Sequence, residues 1–211
     1  MITYRAKTAY KAPSVAEGYD GVRFTRTFGK LYNRLELHAF EVALRWVKPG
    51  SSVLDLACGT GRIAERLNAH HLNVFAVDIS FAMVEVSRAK LGSTSLLVNA
   101  DAEALPFQNA SFDWVVSARL FGHVPPYARP CILAEVARVT RCGAVIAFYL
   151  LNPATRARRF LRSFGHVDPE WHPLTRPTVV SELAAQGLRA EEVCPVVPII
   201  DQAHIFVVTK C

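Results

Sequence analysis

The chain has 211 residues, of which 51% are hydrophobic and 20% are charged, and its formal net charge is +6. This composition excludes a disordered chain and fits one globular domain around one core. The longest apolar run, residues 143–151, is shorter than the roughly 20 residues of a membrane-spanning helix. The N-terminus has no apolar signal-peptide segment, so we expect a cytoplasmic protein. The five cysteines are widely spaced and odd in number, so we expect neither a structural metal site nor a disulfide framework.

The first 50 residues are predicted to be helical and to form an N-terminal cap. A first apolar series recurs at helical spacing on one face, namely Phe24, Phe28, Leu31 and Leu35. A neighbouring stripe is basic and comprises Arg23, Arg26, Lys30 and Arg34. A second apolar series ends at a strong stop signal, Lys48-Pro49-Gly50.

From residue 51 onward, short apolar runs alternate with helical patterns. Strands are predicted at 53–57, 72–77, 95–100, 114–118 and 144–151, and helices at 62–69, 81–90 and 127–140. This alternation predicts right-handed crossovers and a parallel sheet. A basic, irregular segment at 152–177 is expected to be a substrate-side insert. After it we predict a helix at 178–186 and an antiparallel pair of strands at 191–197 and 204–209. The core is therefore expected to span residues 51–211.

The segment from Asp55 to Ala64 contains a glycine loop between a predicted strand and a predicted helix. Glycines at 59 and 61 permit a tight turn and a close approach of the backbone to a ligand. The helix that follows offers free N–H groups at its N-terminus. The spacing also matches the dinucleotide fingerprint, so the loop alone does not distinguish a nicotinamide cofactor from S-adenosylmethionine.

Carboxylates at three strand ends narrow the choice of ligand. Asp78 ends the second strand, where it can accept hydrogen bonds from both hydroxyls of a ribose, although a helix cap is the simpler structural explanation. Asp101 follows the third strand, where it can bind an adenine amino group. Asp55 would repel a pyrophosphate but tolerate a sulfonium or ammonium group. The pattern therefore favours S-adenosylmethionine.

Four motifs occur in order and resemble those of class I S-adenosylmethionine-dependent methyltransferases. They are Asp55-Leu-Ala-Cys-Gly-Thr-Gly, Val77-Asp-Ile-Ser, Asn99-Ala-Asp-Ala-Glu-Ala-Leu-Pro-Phe and Ser111-Phe-Asp. The small-molecule branch that includes the ubiquinone-biosynthesis type is the most similar in appearance. The usual Pro-Gly-Gly is replaced here by Arg141-Cys142-Gly143-Ala144. The resemblance implies a Rossmann-like, doubly wound sheet of seven strands, mostly parallel with an antiparallel last strand.

The resemblance also implies a role for individual residues. Gly59, Thr60 and Gly61 would lie at the methionine part of the cofactor, and Asp55 would steady this loop near the amino group. Asp78 would hold the ribose. The adenine would meet Ile79 on its face and Asp101 with Ala102 at its edge. Ser117 would offer its backbone carbonyl to the methionine amino group.

The methyl acceptor is expected to enter over the carboxyl ends of the strands. Arg119 and His123 follow the fourth strand, and Tyr149 lies on the fifth. His123 is the best candidate for a general base, although a packing role is the more common explanation for such a histidine. Arg119 and Tyr149 are candidate acceptor contacts.

The sequence thus predicts an enzyme that transfers a methyl group from S-adenosylmethionine to a small molecule. The alternatives are an RNA or protein methyltransferase, a non-catalytic cofactor-binding partner subunit and, more distantly, a nicotinamide-dependent dehydrogenase. The basic stripes permit an anionic acceptor or contact with a membrane surface, and they also fit plain solvation of helices. No nucleic-acid-binding motif is apparent, so a nucleic-acid partner is not expected.

Overall fold

The computed structural model describes residues 4, 7–24, 27–92, 95–151, 172–197 and 202–211, with backbone only for residues 23 and 24. Most of the predicted insert, including Arg156, Arg158, Arg159 and Arg162, therefore lies outside the described residues. The same holds for Arg26 of the predicted basic stripe and for the side chain of Arg23.

The described residues form six helices and seven strands. The helices are α1 (Pro13–Phe24), α2 (Thr27–Leu44), α3 (Arg62–Ala69), α4 (Phe81–Leu91), α5 (Arg129–Val139) and α6 (Arg176–Ala184). The strands are β1 (Ser52–Leu56), β2 (Asn73–Asp78), β3 (Leu96–Asn99), β4 (Phe112–Ser117), β5 (Thr140–Tyr149), β6 (Leu188–Pro195) and β7 (Ala203–Lys210). No helix in this described part is long and apolar enough to cross a membrane.

All seven strands form one sheet in the order β3-β2-β1-β4-β5-β7-β6. Neighbouring strands from β3 to β5 pair in parallel, whereas β7 runs antiparallel to both β5 and β6. The predicted fold class is therefore confirmed, including the antiparallel last strand. The strand order reverses between β1 and β4, which is where open α/β sheets bind ligands.

Helices cover both faces of the sheet, which explains why the strands are almost continuously apolar. On one face, Leu54 and Ile146 pack in a cluster that includes residues of α5 and α6. On the other face, Val53 and Val145 pack in a cluster that includes residues of α2 and α3. Successive strand residues thus point to opposite faces, as the pleat requires.

Helix α2 takes part in this packing and also contains most of the first predicted apolar series. Its C-terminal half buries Phe40 and Ala43 against the sheet. The structure describes α1 up to Phe24 and α2 from Thr27. Phe28 is 79% exposed and Leu31 is 53% exposed, so this part of the predicted apolar series is not buried. The side chain of Phe24 lies outside the described residues.

Two element boundaries differ from the predicted ones near the C-terminal half. Strand β5 begins at Thr140 rather than at 144. Gly143 lies so close to the Val208 backbone that a Cβ atom would clash, which explains a glycine at this position. Helix α6 begins at Arg176, within the range expected for the insert, and the Thr175 hydroxyl caps it by accepting from the Thr178 N–H at 3.3 Å.

Candidate functional site

A cleft lies over the carboxyl ends of β1, β2, β3 and β4. Residues of the glycine loop form its floor, and residues that follow the other three strands form its sides. The N-terminal segment and α1 contribute Tyr4, Lys7, Tyr10, Lys11 and Tyr19 to its lining. The motifs that lie far apart in the sequence therefore meet in one site, because parallel strands end at the same edge of the sheet.

The glycine loop turns directly from β1 into α3. Gly59 has a φ of 55°, in the left-handed region, and a Cβ atom built on it would meet nothing within 4 Å. It therefore leaves open space on the cleft side, as a loop that receives a ligand requires. Thr60 also lines the cleft, and its hydroxyl donates to Asp20 Oδ1 at 2.8 Å.

Gly61 has a different environment from the one expected. Its φ is 79°, and a Cβ atom there would lie 2.5 Å from Ser87 Oγ and 3.2 Å from Leu91 Cδ1 of α4. Gly61 does not appear among the residues that line the cleft. The backbone conformation of Gly61 and its packing against α4 thus explain the glycine at this position.

Asp55 lies beneath the glycine loop and is 1% exposed. Burial raises its pKa from 3.8 to about 7, although the Ala64 N–H and the charge of Arg62 favour its ionised form. In the described part of the chain, its Oδ2 atom has no hydrogen-bond partner. Because buried polar atoms are nearly always paired, this oxygen is suited to a cationic or hydrogen-bonding group of a ligand in the cleft.

Asp78 holds the glycine loop from the end of β2. Its Oδ2 accepts from the Gly59 N–H at 2.9 Å, and its Oδ1 accepts from the Ser80 N–H at 2.8 Å. Burial raises its pKa, and these two backbone N–H groups oppose that rise. Each carboxylate oxygen has a second lone pair, so the side chain can still accept from a diol. Ser80, and not Asp78, caps α4 through its hydroxyl, which accepts from the Met83 N–H at 3.3 Å.

Asp101 forms an ion pair with the N-terminal segment, a contact that the motif around Asp101 did not predict. Lys7 is 6% exposed, and its Nζ lies 2.7 Å from Asp101 Oδ2 and 2.8 Å from Glu103 Oε1. The other oxygen of Asp101 accepts from the Glu103 N–H at 3.0 Å. Burial lowers the pKa of Lys7, but its hydrogen bonds to the two carboxylates outweigh this effect and raise it overall.

The remaining predicted cofactor residues divide into two groups. Ile79 and Ala102 line the cleft beside Asp78 and Asp101. Ser117 is fully buried, and its hydroxyl donates to the Leu56 carbonyl at 3.0 Å. At the end of β4 the cleft is lined by the next residue, Ala118, and not by Ser117.

The structure brings two of the three predicted acceptor residues to the cleft. Arg119 and His123 line the cleft. Tyr149 is 7% exposed, belongs to the apolar cluster on the α2 face of the sheet and does not line the cleft. Burial, followed by the negative charge of Glu36, raises the pKa of Tyr149, so its phenol stays protonated. Tyr149 is thus placed behind Arg119 rather than at a ligand.

The sequence analysis missed three residues of the N-terminal region that contact the site, because these residues belong to no motif. Lys7 reaches Asp101, Asp20 of α1 reaches Thr60, and Glu36 of α2 reaches both Arg62 and Arg119. Only a weak indication of these contacts is present in the sequence. Glu36 is a charged residue just before a buried stretch of α2, where an unpaired charge would be costly.

The sheet order and this cleft define a Rossmann-like α/β protein with a site at its topological switch point. A family model described as a methyltransferase domain matches residues 53–143. The predicted resemblance to class I S-adenosylmethionine-dependent methyltransferases is confirmed by this match, which covers residues 53–143.

Individual proteins agree with this classification. The chain is 35% identical to the demethylmenaquinone methyltransferase of Thermotoga maritima over 145 residues, which cover 67% of the chain and 61% of the relative. It is 37% identical to the ubiquinone/menaquinone biosynthesis C-methyltransferase UbiE of Xanthomonas campestris over 140 residues, covering 62% of the chain and 53% of the relative. It therefore spans little more than half the length of these relatives.

A solved structure agrees over a larger share of the chain. The magnesium protoporphyrin IX methyltransferase of Synechocystis PCC 6803, with bound SAH, superposes with a TM-score of 0.80. The superposition covers 98% of both chains at 13% sequence identity. At that identity the likeness supports the fold alone.

Proposed function

We propose that this protein binds S-adenosylmethionine and transfers its methyl group to a small-molecule acceptor. The observation that carries the proposal is the order of polar groups along the cleft. Asp55 lies near the carboxyl end of β1, Asp78 ends β2 and Asp101 comes just after β3, and all three line the cleft. The same three chemistries, an ammonium group, a ribose diol and an adenine edge, follow one another along the cofactor.

The glycine loop and its surroundings fit this cofactor. Gly59 leaves open space where a side chain would otherwise stand, and Asp55 Oδ2 is a buried oxygen in need of a donor. Asp78 keeps free lone pairs for hydroxyl donors after binding its two backbone N–H groups. The carboxylate beneath the loop would oppose a pyrophosphate, which argues against a nicotinamide dinucleotide.

The cofactor supplies an activated methyl group on a sulfonium centre, so the protein has mainly to orient the acceptor and exclude water. Tyr4, Lys7 and Tyr10 cover the side of the cleft near Asp101. The Tyr10 carbonyl accepts from the Ser80 hydroxyl at 2.6 Å, which helps to fix this cover. These contacts shield the adenosine half of the site.

The acceptor would approach beside Tyr19 and His123, which line the cleft. His123 is half-buried there and is our candidate for removing a proton from an acceptor that arrives protonated. The names of the matched quinone-biosynthesis relatives support a small molecule over a macromolecule.

Calorimetry with S-adenosylhomocysteine and with NAD tests the cofactor. We expect binding of S-adenosylhomocysteine only, and binding of NAD instead would refute the assignment.

The acceptor class can be tested with methyl-labelled S-adenosylmethionine and a cell extract. After the reaction, the small molecules are separated from the acid-precipitable proteins and nucleic acids. We expect label among the small molecules, and less of it when His123 is replaced by alanine. Label confined to the precipitate would refute the small-molecule proposal while leaving methyl transfer intact.

A further inference from the structure

Glu36 is a fully buried carboxylate between two arginines of the cleft. Its Oε2 lies 2.7 Å from Arg62 Nη2 and 2.9 Å from Arg119 Nη2. Arg119 Nε also donates to both oxygens of Glu36, at 3.1 and 3.0 Å. The Glu36 side chain is 0% exposed, while the side chains of Arg62 and Arg119 are 13% and 17% exposed. Glu36 thus reaches the cleft only through its partners.

Both arginines are held in defined positions. Arg62 Nη1 donates to Asn33 Oδ1 at 2.7 Å, so α2 binds this guanidinium at two points. The Arg119 guanidinium lies over the Tyr32 ring, 5.5 Å from its centroid. Arg119 also has a φ of 57°, a strained conformation for a residue with a side chain. Such strain is concentrated at ligand-binding positions, where the surrounding structure maintains it.

Charge and position together indicate what this cluster can bind. One carboxylate faces two guanidinium groups, both of which line the cleft. Arg62 directly follows the glycine loop, and its positive charge acts on Asp55. The cluster therefore lies at the end of the cleft that holds the unpartnered Asp55 oxygen, away from Asp101.

We propose that Glu36 is a positioning residue that holds Arg62 and Arg119 ready for the carboxylate of the cofactor's methionyl group. Glu36 orients the two planar guanidinium groups, and the fixed fork of N–H donors on a guanidinium matches the geometry of a carboxylate. Asp55 Oδ2 would take the ammonium group of the same amino acid. The N-terminal helix α2 is then coupled to cofactor binding. The inference depends on the cofactor in the proposed function and not on the acceptor.

The test compares two ligands by calorimetry: S-adenosylhomocysteine and its decarboxylated analogue, which keeps the ammonium group. We expect the wild-type protein to prefer S-adenosylhomocysteine by roughly tenfold or more, the effect of a charged hydrogen bond. Arg119→Met and Glu36→Gln should both reduce this preference towards one. Glu41→Gln, which makes the same charge change five residues further along α2, should keep it.

The ratio of the two affinities separates positioning from simple stabilisation. A purely structural Glu36 would change the melting temperature, but not the preference for the carboxylated ligand. If Glu36→Gln does not fold, Glu36→Asp replaces it, because aspartate keeps the charge but is too short to hold both arginines and should also reduce the preference. An unchanged preference in the folded variants, or no preference in the wild type, overturns the inference. A wild-type protein that binds neither ligand refutes the cofactor itself.

Discussion

Replacing Asp55 by asparagine should stabilise the protein and weaken cofactor binding at the same time. Asp55 is buried, and its pKa is raised from 3.8 to about 7. The folded protein therefore binds a proton at this site more tightly than the unfolded chain does. Between about pH 4 and pH 7 the folded state holds more protons, so its stability falls as the pH rises.

The size of the effect follows from the difference in pKa. About three pKa units correspond to roughly 4 kcal/mol at a pH above both values. Asparagine keeps an oxygen for the Ala64 N–H, but its amide also loses the attraction of Arg62. We therefore expect a net gain of about 1–2 kcal/mol at pH 8, and a smaller gain at pH 5.

Urea unfolding of the ligand-free protein at about pH 5 and pH 8 measures this gain. Calorimetry with S-adenosylhomocysteine at the higher pH should show at least a roughly tenfold loss of affinity, because the ammonium group loses an ionised partner. In the wild type, affinity should also fall as the pH drops below about 7, where Asp55 becomes protonated. An Asp55→Asn advantage that does not grow between the two pH values would refute the reasoning, as would unchanged affinity.

Four further substitutions test the glycine loop and the residue that holds it. Asp78→Ala should lower affinity for S-adenosylhomocysteine at least roughly tenfold, since charged hydrogen bonds are lost; normal affinity by calorimetry would exclude a ribose contact. Gly59→Ala should fold but bind S-adenosylhomocysteine weakly. Gly61→Ala should lose about 2 kcal/mol or more of stability, because of backbone strain and the clash with Ser87. Equal melting temperatures of the two variants would contradict these roles. Ala57→Gly should stabilise by about 1 kcal/mol, because Ala57 has a φ of 60°; an unchanged urea midpoint would refute that strain.

The sequence alone determined the sheet and the placement of most cofactor residues. Apolar runs alternating with helical patterns specify a parallel sheet, and the carboxyl ends of parallel strands necessarily meet at one edge. Asp55, Asp78 and Asp101 could therefore be assigned to one site from their positions at or near the carboxyl ends of β1, β2 and β3. Gly59 was predicted for the same reason, since it stands in a turn between a strand and a helix.

Only the tertiary structure decided which way neighbouring residues of the site face. Gly61 has the same sequence signature as Gly59, but the packing of α4 against α3 places Ser87 beside it. Tyr149 was expected at the cleft, yet the pleat of β5 places it on the α2 face of the sheet. A local motif does not contain this information, because it depends on how separate elements pack.

The contacts of the N-terminal region likewise came only from the tertiary structure. Lys7 and Asp101 are 94 residues apart, and Glu36 and Arg119 are 83 residues apart. Single charged residues at such separations have no spacing rule that predicts their pairing. Burial brings them together, because a charge removed from water must find a partner. The sequence thus predicted most of the residues that line the cleft, and the packing of α1 and α2 decided what surrounds them.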